Sequence, residues 1–162
     1  MAATEIFERL KQDHDRHREL LDQISGTSGD SPERNELFEE LTLELKAHAS
    51  AEEQALYSTM LRKPETTDDT RHSVAEHHEI EEALNDLAAT DMASGGWLTK
   101  FNGFKEEYLH HIDEEEEEHF PEFDEYLTKE DEQYMKSVFE RRKKAEKADA
   151  KVTPEKKEDA KE

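Results

Sequence analysis

Apolar residues in this chain recur at intervals of three and four, in long stretches without β-branched runs. Residues so spaced share one face of an α-helix, because each step turns by about 100°. One stripe runs Phe7, Leu10, His14, His17, Leu21, Ile24. A second runs Phe38, Leu41, Leu45, His48, Glu52, Ala55, and another runs Phe101, Phe104, Tyr108, His111, Glu115. Turn-forming residues cluster at Gly26–Pro32, Pro64–Asp69 and Asp91–Gly96. The pattern predicts helices over 4–25, 32–61, 69–90 and 97–119. Ser31 reads as an N-cap with Pro32 at the first helical position. Thr128 and Asp131 read as a capping box that opens a short fifth helix over 129–146.

Amphipathic helices with short connections predict an all-α fold, an antiparallel up-and-down four-helix bundle. The bundle is expected over residues 1–128, the extra helix over 129–147 and a charged tail over 148–162. The tail holds almost no large apolar group, so it is expected to be disordered.

Composition removes several function classes. Asp and Glu total 44 against 22 Lys and Arg, a formal charge of -22. That field repels phosphate backbones and anionic lipid surfaces, so neither nucleic acid nor membrane is an expected partner. No apolar run is long enough to span a bilayer. The N-terminal MAATEIFERL shows no secretory signal, and a cytoplasmic location is the expectation. Cysteine is absent, which removes disulfides, thiolate metal sites and cysteine nucleophiles. The basic run Arg141–Lys144 reads as a complement to the helix-end dipole.

The same chain holds nine histidines, and some of them repeat. At an offset of 63, His14 maps to His77, His48 to His111, Glu52 to Glu115, Glu53 to Glu116 and Tyr57 to Phe120. The apolar frame follows, with Leu21 mapping to Leu84, Phe38 to Phe101 and Leu45 to Tyr108. Each His–Glu pair at i and i+4 lies on one helix face, inside a stripe otherwise apolar. An unpaired carboxylate in a bundle interior costs several kcal/mol or more. Metal cations are the economical compensator, since imidazole and carboxylate are usual ligands for iron, manganese and zinc. The repeat predicts two metals, one on His14 and His48, the other on His77 and His111, with Glu52 and Glu115 bridging. Glu53 and Glu116 sit about 100° from the bridging positions, where they complete the shell or face solvent.

At these residues the chain resembles the hemerythrin family, specifically the bacterial-type HHE cation-binding domains, over roughly residues 5–127. The matching pieces are Asp13-His14-Asp15, His48-x3-Glu52-Glu53, Glu76-His77, His111-x3-Glu115-Glu116 and the run His119–Phe123. The resemblance implies a four-helix bundle around a non-haem di-iron centre, two iron ions with a bridging oxo or hydroxo group, that meets O2 or peroxide. It implies a ligand set of His14, His48, Glu52, His77, His111, Glu115 and Glu116. Oxygen carriers of the family show His-x3-His on the third helix and His-x4-Asp on the fourth. Here the first pattern has Ser73 and the second reads His111-x4-Glu116. A site richer in carboxylate favours ferric iron, and so oxidation, peroxide chemistry or sensing over reversible carriage of O2.

The other histidines read differently. His17 lies on the stripe, but its repeat partner is Ile80, so it is expected in the core or beside the ligands. His72, His78, His110 and His119 are expected at the surface. The acidic run Asp113–Glu118 lacks the spacing of a calcium loop. Ferritin-like iron handling fits poorly, because the second helix has no Glu-x-x-His. A metal-free acidic scaffold leaves the interior His and Glu unexplained.

Overall fold

The computed structural model describes residues 5–150, and they form helices joined by short turns. α1 spans Glu5–Ser25 and α2 spans Pro32–Glu52. A five-residue π-helical turn, π1 (Glu53–Tyr57), and α3 (Ser58–Met60) prolong α2 without leaving helical backbone angles. α4 spans Thr67–Ala89. α5 (Gly95–Glu114) continues through a second such turn, π2 (Glu115–His119), into α6 (Phe120–Asp124). α7 spans Lys129–Ala150. Among the described residues there is no strand, and no helix is long and apolar enough to cross a membrane.

Local chemistry sets the boundaries. The Ser31 hydroxyl accepts from the Arg34 amide at 3.1 Å, with Pro32 opening α2. Ser94 caps α5 through the Gly96 amide at 3.1 Å. The Thr128 amide donates to Asp131 Oδ2, and the Asp131 amide to Thr128 Oγ1, both at 3.0 Å. This is the reciprocal capping box expected for α7. Gly29 takes φ 62° in the turn after α1, in the left-handed region where only glycine avoids a steric cost.

Two expectations are corrected. The second and fourth helices are not uniform α-helices, since one contains a π-helical turn directly after Glu52 and the other a π-helical turn that begins at Glu115. The fifth helix is not short. It has 22 residues and takes in positions 148–150, which the sequence reading assigned to a disordered tail. Residues 151–162, the rest of that tail, lie outside the described residues.

Two apolar clusters hold the helices together. One joins Leu20, Leu21 and Ile24 of α1, Phe38, Leu41 and Leu45 of α2, Leu84 and Leu87 of α4, and Trp97, Phe101, Phe104 and Ile112 of α5. The other joins Ile6, Phe7 and Leu10 of α1, Ala51 of α2, Ala55 and Leu56 of π1, Phe120 and Phe123 of α6, and Met135 and Phe139 of α7. Burying each such side chain stabilises the fold by about 1.5–3 kcal/mol before entropy is counted. Arg34 closes the first cluster at its end. Its guanidinium donates to Thr27 Oγ1, Thr27 O and Met92 O and lies 4.8 Å from the Trp97 ring centre.

The polar residues of the stripes fall between the two clusters. In α1, His14 and His17 lie between Leu10 and Leu20; in α2, His48 lies between Leu45 and Ala51. The result is a buried polar layer with an apolar floor and an apolar roof.

Candidate metal centre

The layer brings together the four repeated histidines and the two repeated glutamates. His48 Nε2 lies 3.6 Å from Glu52 Oε1, and His77 Nε2 lies 3.3 Å from the same oxygen. His111 Nε2 lies 3.1 Å from Glu115 Oε1, and His14 Nε2 lies 3.7 Å from it. The offset of 63 exchanges the two trios, so the repeat appears as an approximate twofold relation in space. The His14 and His48 rings are 5.1 Å apart and the His77 and His111 rings 5.2 Å apart. Each glutamate therefore faces one histidine of each pair.

The outer ring nitrogens behave differently. His14 Nδ1 donates to Glu116 Oε2 at 2.7 Å, His48 Nδ1 to Asp13 Oδ2 at 2.8 Å and His111 Nδ1 to Glu76 Oε1 at 2.8 Å. His77 Nδ1 faces Glu53 Oε2 at a looser 3.7 Å. Distances of 2.7–2.8 Å are charge-assisted hydrogen bonds, and separations of 3.1–3.7 Å are too long for them. Ligands that share an ion with bonds of about 2.0–2.2 Å lie about 2.8–3.8 Å apart, from right-angle to trigonal arrangements. Outer carboxylates of this kind fix the tautomer so that Nε2 carries a free lone pair inward.

The inner atoms lack other partners. Among the described residues, His14 Nε2, His48 Nε2, both Glu52 oxygens and Glu115 Oε1 are buried without a hydrogen bond. Each orphaned group costs about 1–3 kcal/mol. A cation fits this donor set, because it satisfies imidazole nitrogens and carboxylate oxygens at once.

The twofold relation is decorated unequally. Tyr57 donates to Glu115 Oε2 at 2.6 Å, whereas its repeat partner Phe120 has no hydroxyl to offer Glu52. The buried His17 ring stands only on the α1–α2 side, its Nδ1 2.7 Å from the Tyr108 hydroxyl and its Nε2 3.6 Å from Glu44 Oε2. On the same side, α7 places the buried Lys143 ammonium 2.8 Å from Asp13 Oδ1 and 3.1 Å from Glu44 Oε2. The Phe139 ring packs edge-on to His48.

Protonation follows these surroundings. Burial pushes His48 down to about 3, so its ring is neutral. Burial also lowers His111, but Glu115 and Glu76 outweigh it and raise the ring to about 9. Burial pushes Glu52 well up, with the Glu115 charge adding to it. Burial works against the Glu115 charge too, yet His111 holds that carboxyl well below its usual range. Asp13 stays ionised despite burial, through His48 and Lys143. A cleft of ≈ 390 Å³ between α2 and α4 opens onto His77 and Glu53.

The sequence profile of the hemerythrin HHE cation-binding domain matches residues 5–123. The chain belongs to that family. The crystal structure of a hemerythrin HHE cation-binding domain-containing protein from Mycobacterium kansasii superposes on it with a TM-score of 0.80 and 26% sequence identity. That match covers 90% of this chain and 88% of the other. No curated protein matches the sequence.

Within this HHE domain, the layer gathers His14, His48, Glu52, His77, His111 and Glu115. Glu116 lies outside it, half-buried on the outer nitrogen of His14 and 3.2 Å from Arg18. His72, His78 and His110 are exposed as expected, but His119 is buried, with its Nδ1 3.1 Å from Ser73 Oγ. It stands four residues after Glu115, on the stripe, but its repeat partner is Leu56, so the repeat does not mark it. The reading of Arg141–Lys144 as a dipole complement overlooks Lys143, which is buried. The signal for it was present, because Met135, Phe139 and Lys143 are spaced by four. Asp13 and Glu76 also obey the offset of 63, which marks them as equivalent supports for His48 and His111.

Proposed function

We propose that the polar layer holds two iron ions within an antiparallel up-and-down four-helix bundle, and that the protein reacts there with O2 or peroxide. The observation that carries this reading is the two-tier distance pattern. Outer nitrogens sit at hydrogen-bond distance from carboxylates, and inner nitrogens sit at ligand-to-ligand distance from Glu52 and Glu115. The mixing of opposite helix ends in each apolar cluster supports the alternating direction of the four rods.

In this reading, His14 and His48 hold one ion, His77 and His111 the other, and Glu52 and Glu115 span both. Glu116 enters the sequence-based ligand set, and its hydrogen bond to His14 favours a supporting part instead. Bound iron supplies one-electron chemistry and an open coordination position for a small oxidant. The chain supplies the rest. Asp13, Glu76 and Glu116 hold three histidines in the metal-binding tautomer. The Tyr57 hydroxyl donates a hydrogen bond to Glu115 Oε2 and fixes that carboxylate's orientation. Phe120 and Tyr108, each stacked or tilted against a layer histidine, exclude bulk water. The cleft at His77 offers a small molecule a way in.

Ser73 stands where oxygen carriers of the family place a histidine, and its hydroxyl engages His119. A donor set poor in imidazole and rich in carboxylate favours the ferric state. Oxidation, peroxide removal or sensing therefore fits better than reversible carriage. The test is metal content per chain after purification without chelator, with absorption spectra before and after O2. About two irons and an oxygen-dependent charge-transfer band are expected. A folded protein that takes up no iron would overturn the reading.

A further inference from the structure

We infer that His72, Glu114 and His119 form a second cation site outside the polar layer, for one divalent ion of zinc-like character, with Glu76 as a carboxylate shared between the two sites. His72 and Glu76 lie one turn apart on α4, and across from them Glu114 ends α5 and His119 ends π2. His72 Nε2 is 3.3 Å from Glu114 Oε1 and 3.5 Å from Glu76 Oε2. His119 Nε2 is 3.5 Å from the same Glu114 oxygen. One donor atom from each of His72, Glu76 and Glu114 fits within a span of 4.8 Å.

Two observations together favour a cation in this cluster. The first is distance. Charge-assisted His–carboxylate hydrogen bonds close to about 2.7–2.9 Å, as they do at His14, His48 and His111. The contacts here stay at 3.3–3.5 Å. Tetrahedral ligands on bonds of about 2.0–2.1 Å stand about 3.3–3.4 Å apart. The second is the orientation of His119. Its ring is only 6% exposed, Ser73 holds its Nδ1, and its Nε2 points into the cluster. A buried imidazole anchored by one nitrogen and aimed by the other has the arrangement of a metal ligand.

Two imidazoles and two carboxylates suit zinc or ferrous iron and are poor for calcium, which prefers oxygen. The acidic body of the protein adds an attractive field for any cation. Glu76 Oε1 accepts from His111 while Glu76 Oε2 faces His72, so an ion here pulls on the carboxylate that supports a layer histidine. The cluster's own ligation does not require that the layer hold iron.

The probe is zinc alone, offered to the full chain at micromolar free concentration, with bound zinc read by elemental analysis and chelator competition. His72 is 55% exposed, so His72→Ala leaves the fold intact, which thermal unfolding verifies. His72→Ala and Glu114→Gln are each expected to lose one zinc per chain or hold it at least tenfold more weakly. His78→Ala, an exposed control outside the cluster, is expected to bind like the parent. A parallel His14→Ala/His111→Ala variant reports on the layer, so failure of the iron reading leaves the zinc loss in His72→Ala visible. Unchanged zinc stoichiometry and affinity in both His72→Ala and Glu114→Gln would overturn the site.

Discussion

Lys143 Nζ donates to Asp13 Oδ1 at 2.8 Å across 130 residues of chain, and the other Asp13 oxygen accepts from His48. A residue of the last helix thus bears on a histidine of the second through one carboxylate. Arg9 also donates to Asp13, at 2.6 Å, so the carboxylate is held from three directions. Replacing Lys143 by Met keeps the stem's packing and leaves Asp13 and Glu44 short of a cation. A loss of about 2–4 kcal/mol in unfolding free energy is expected from denaturant titration. A double-mutant cycle with Asp13→Asn should show a coupling of about 1–3 kcal/mol. Additive effects would mean that the pair is not felt.

Glu52 separates a ligand from a structural residue. Burial and the Glu115 charge push its carboxyl well above the usual range in the metal-free protein, which favours the neutral form. Glutamine matches that neutral form in shape. Glu52→Gln is therefore expected to leave the metal-free unfolding temperature unchanged or higher, and to abolish the rise that ferrous iron gives the parent. A variant that keeps the full iron-dependent rise would remove Glu52 from the ligand set.

Tyr57 donates to Glu115 Oε2 in a buried setting. Tyr57→Phe deletes the donor and makes the position resemble its repeat partner Phe120. The metal-free protein should lose about 1–3 kcal/mol of stability, measured by chemical unfolding. No change would mean that Glu115 finds another partner when Tyr57 goes.

Glu132 provides a pH signature away from the polar layer. It is wholly buried at the start of α7 without a hydrogen-bond partner among the described residues. Burial first, then Asp124, raises its carboxyl from 4.5 to about 8. Between these values the folded chain keeps a proton that the unfolded chain has released. This group's stabilising contribution is complete below about pH 4.5 and is lost as pH rises through about 8. Glu132→Gln should match the parent near pH 4.5 and exceed it by on the order of 2–4 kcal/mol near pH 9. A difference that stays constant over that range would show that Glu132 does not titrate in this way.

The sequence carried the layer better than its surroundings. His14, His48, His77, His111, Glu52 and Glu115 were legible because a polar residue inside an apolar stripe is conspicuous, and an exact repeat makes it more so. The supports were harder to read. Asp13 and Glu76 look like solvated acids until their histidine partners are placed. Tyr57 looks like core until its hydroxyl meets Glu115. Lys143 sits in a helix so polar that its inward stripe is reduced to Met135, Val138 and Phe139. His119 was misplaced because its repeat partner is Leu56, so the repeat that marks the other histidines passes over it.

The two π-helical turns mark the places where the chain can change length by one residue and keep its facing. A π turn holds one residue more than an α-helix accommodates at the same rise. Deleting one residue from Glu53–Tyr57 would leave a continuous α-helix with His48 and Glu52 untouched upstream. Because the turn absorbs its extra residue locally, the helix beyond it would keep its facing, and only side chains inside the turn would change places. A one-residue deletion inside these turns is therefore expected to cost less than one in the α-helical stretches beside them, where it would turn all that follows by about 100°.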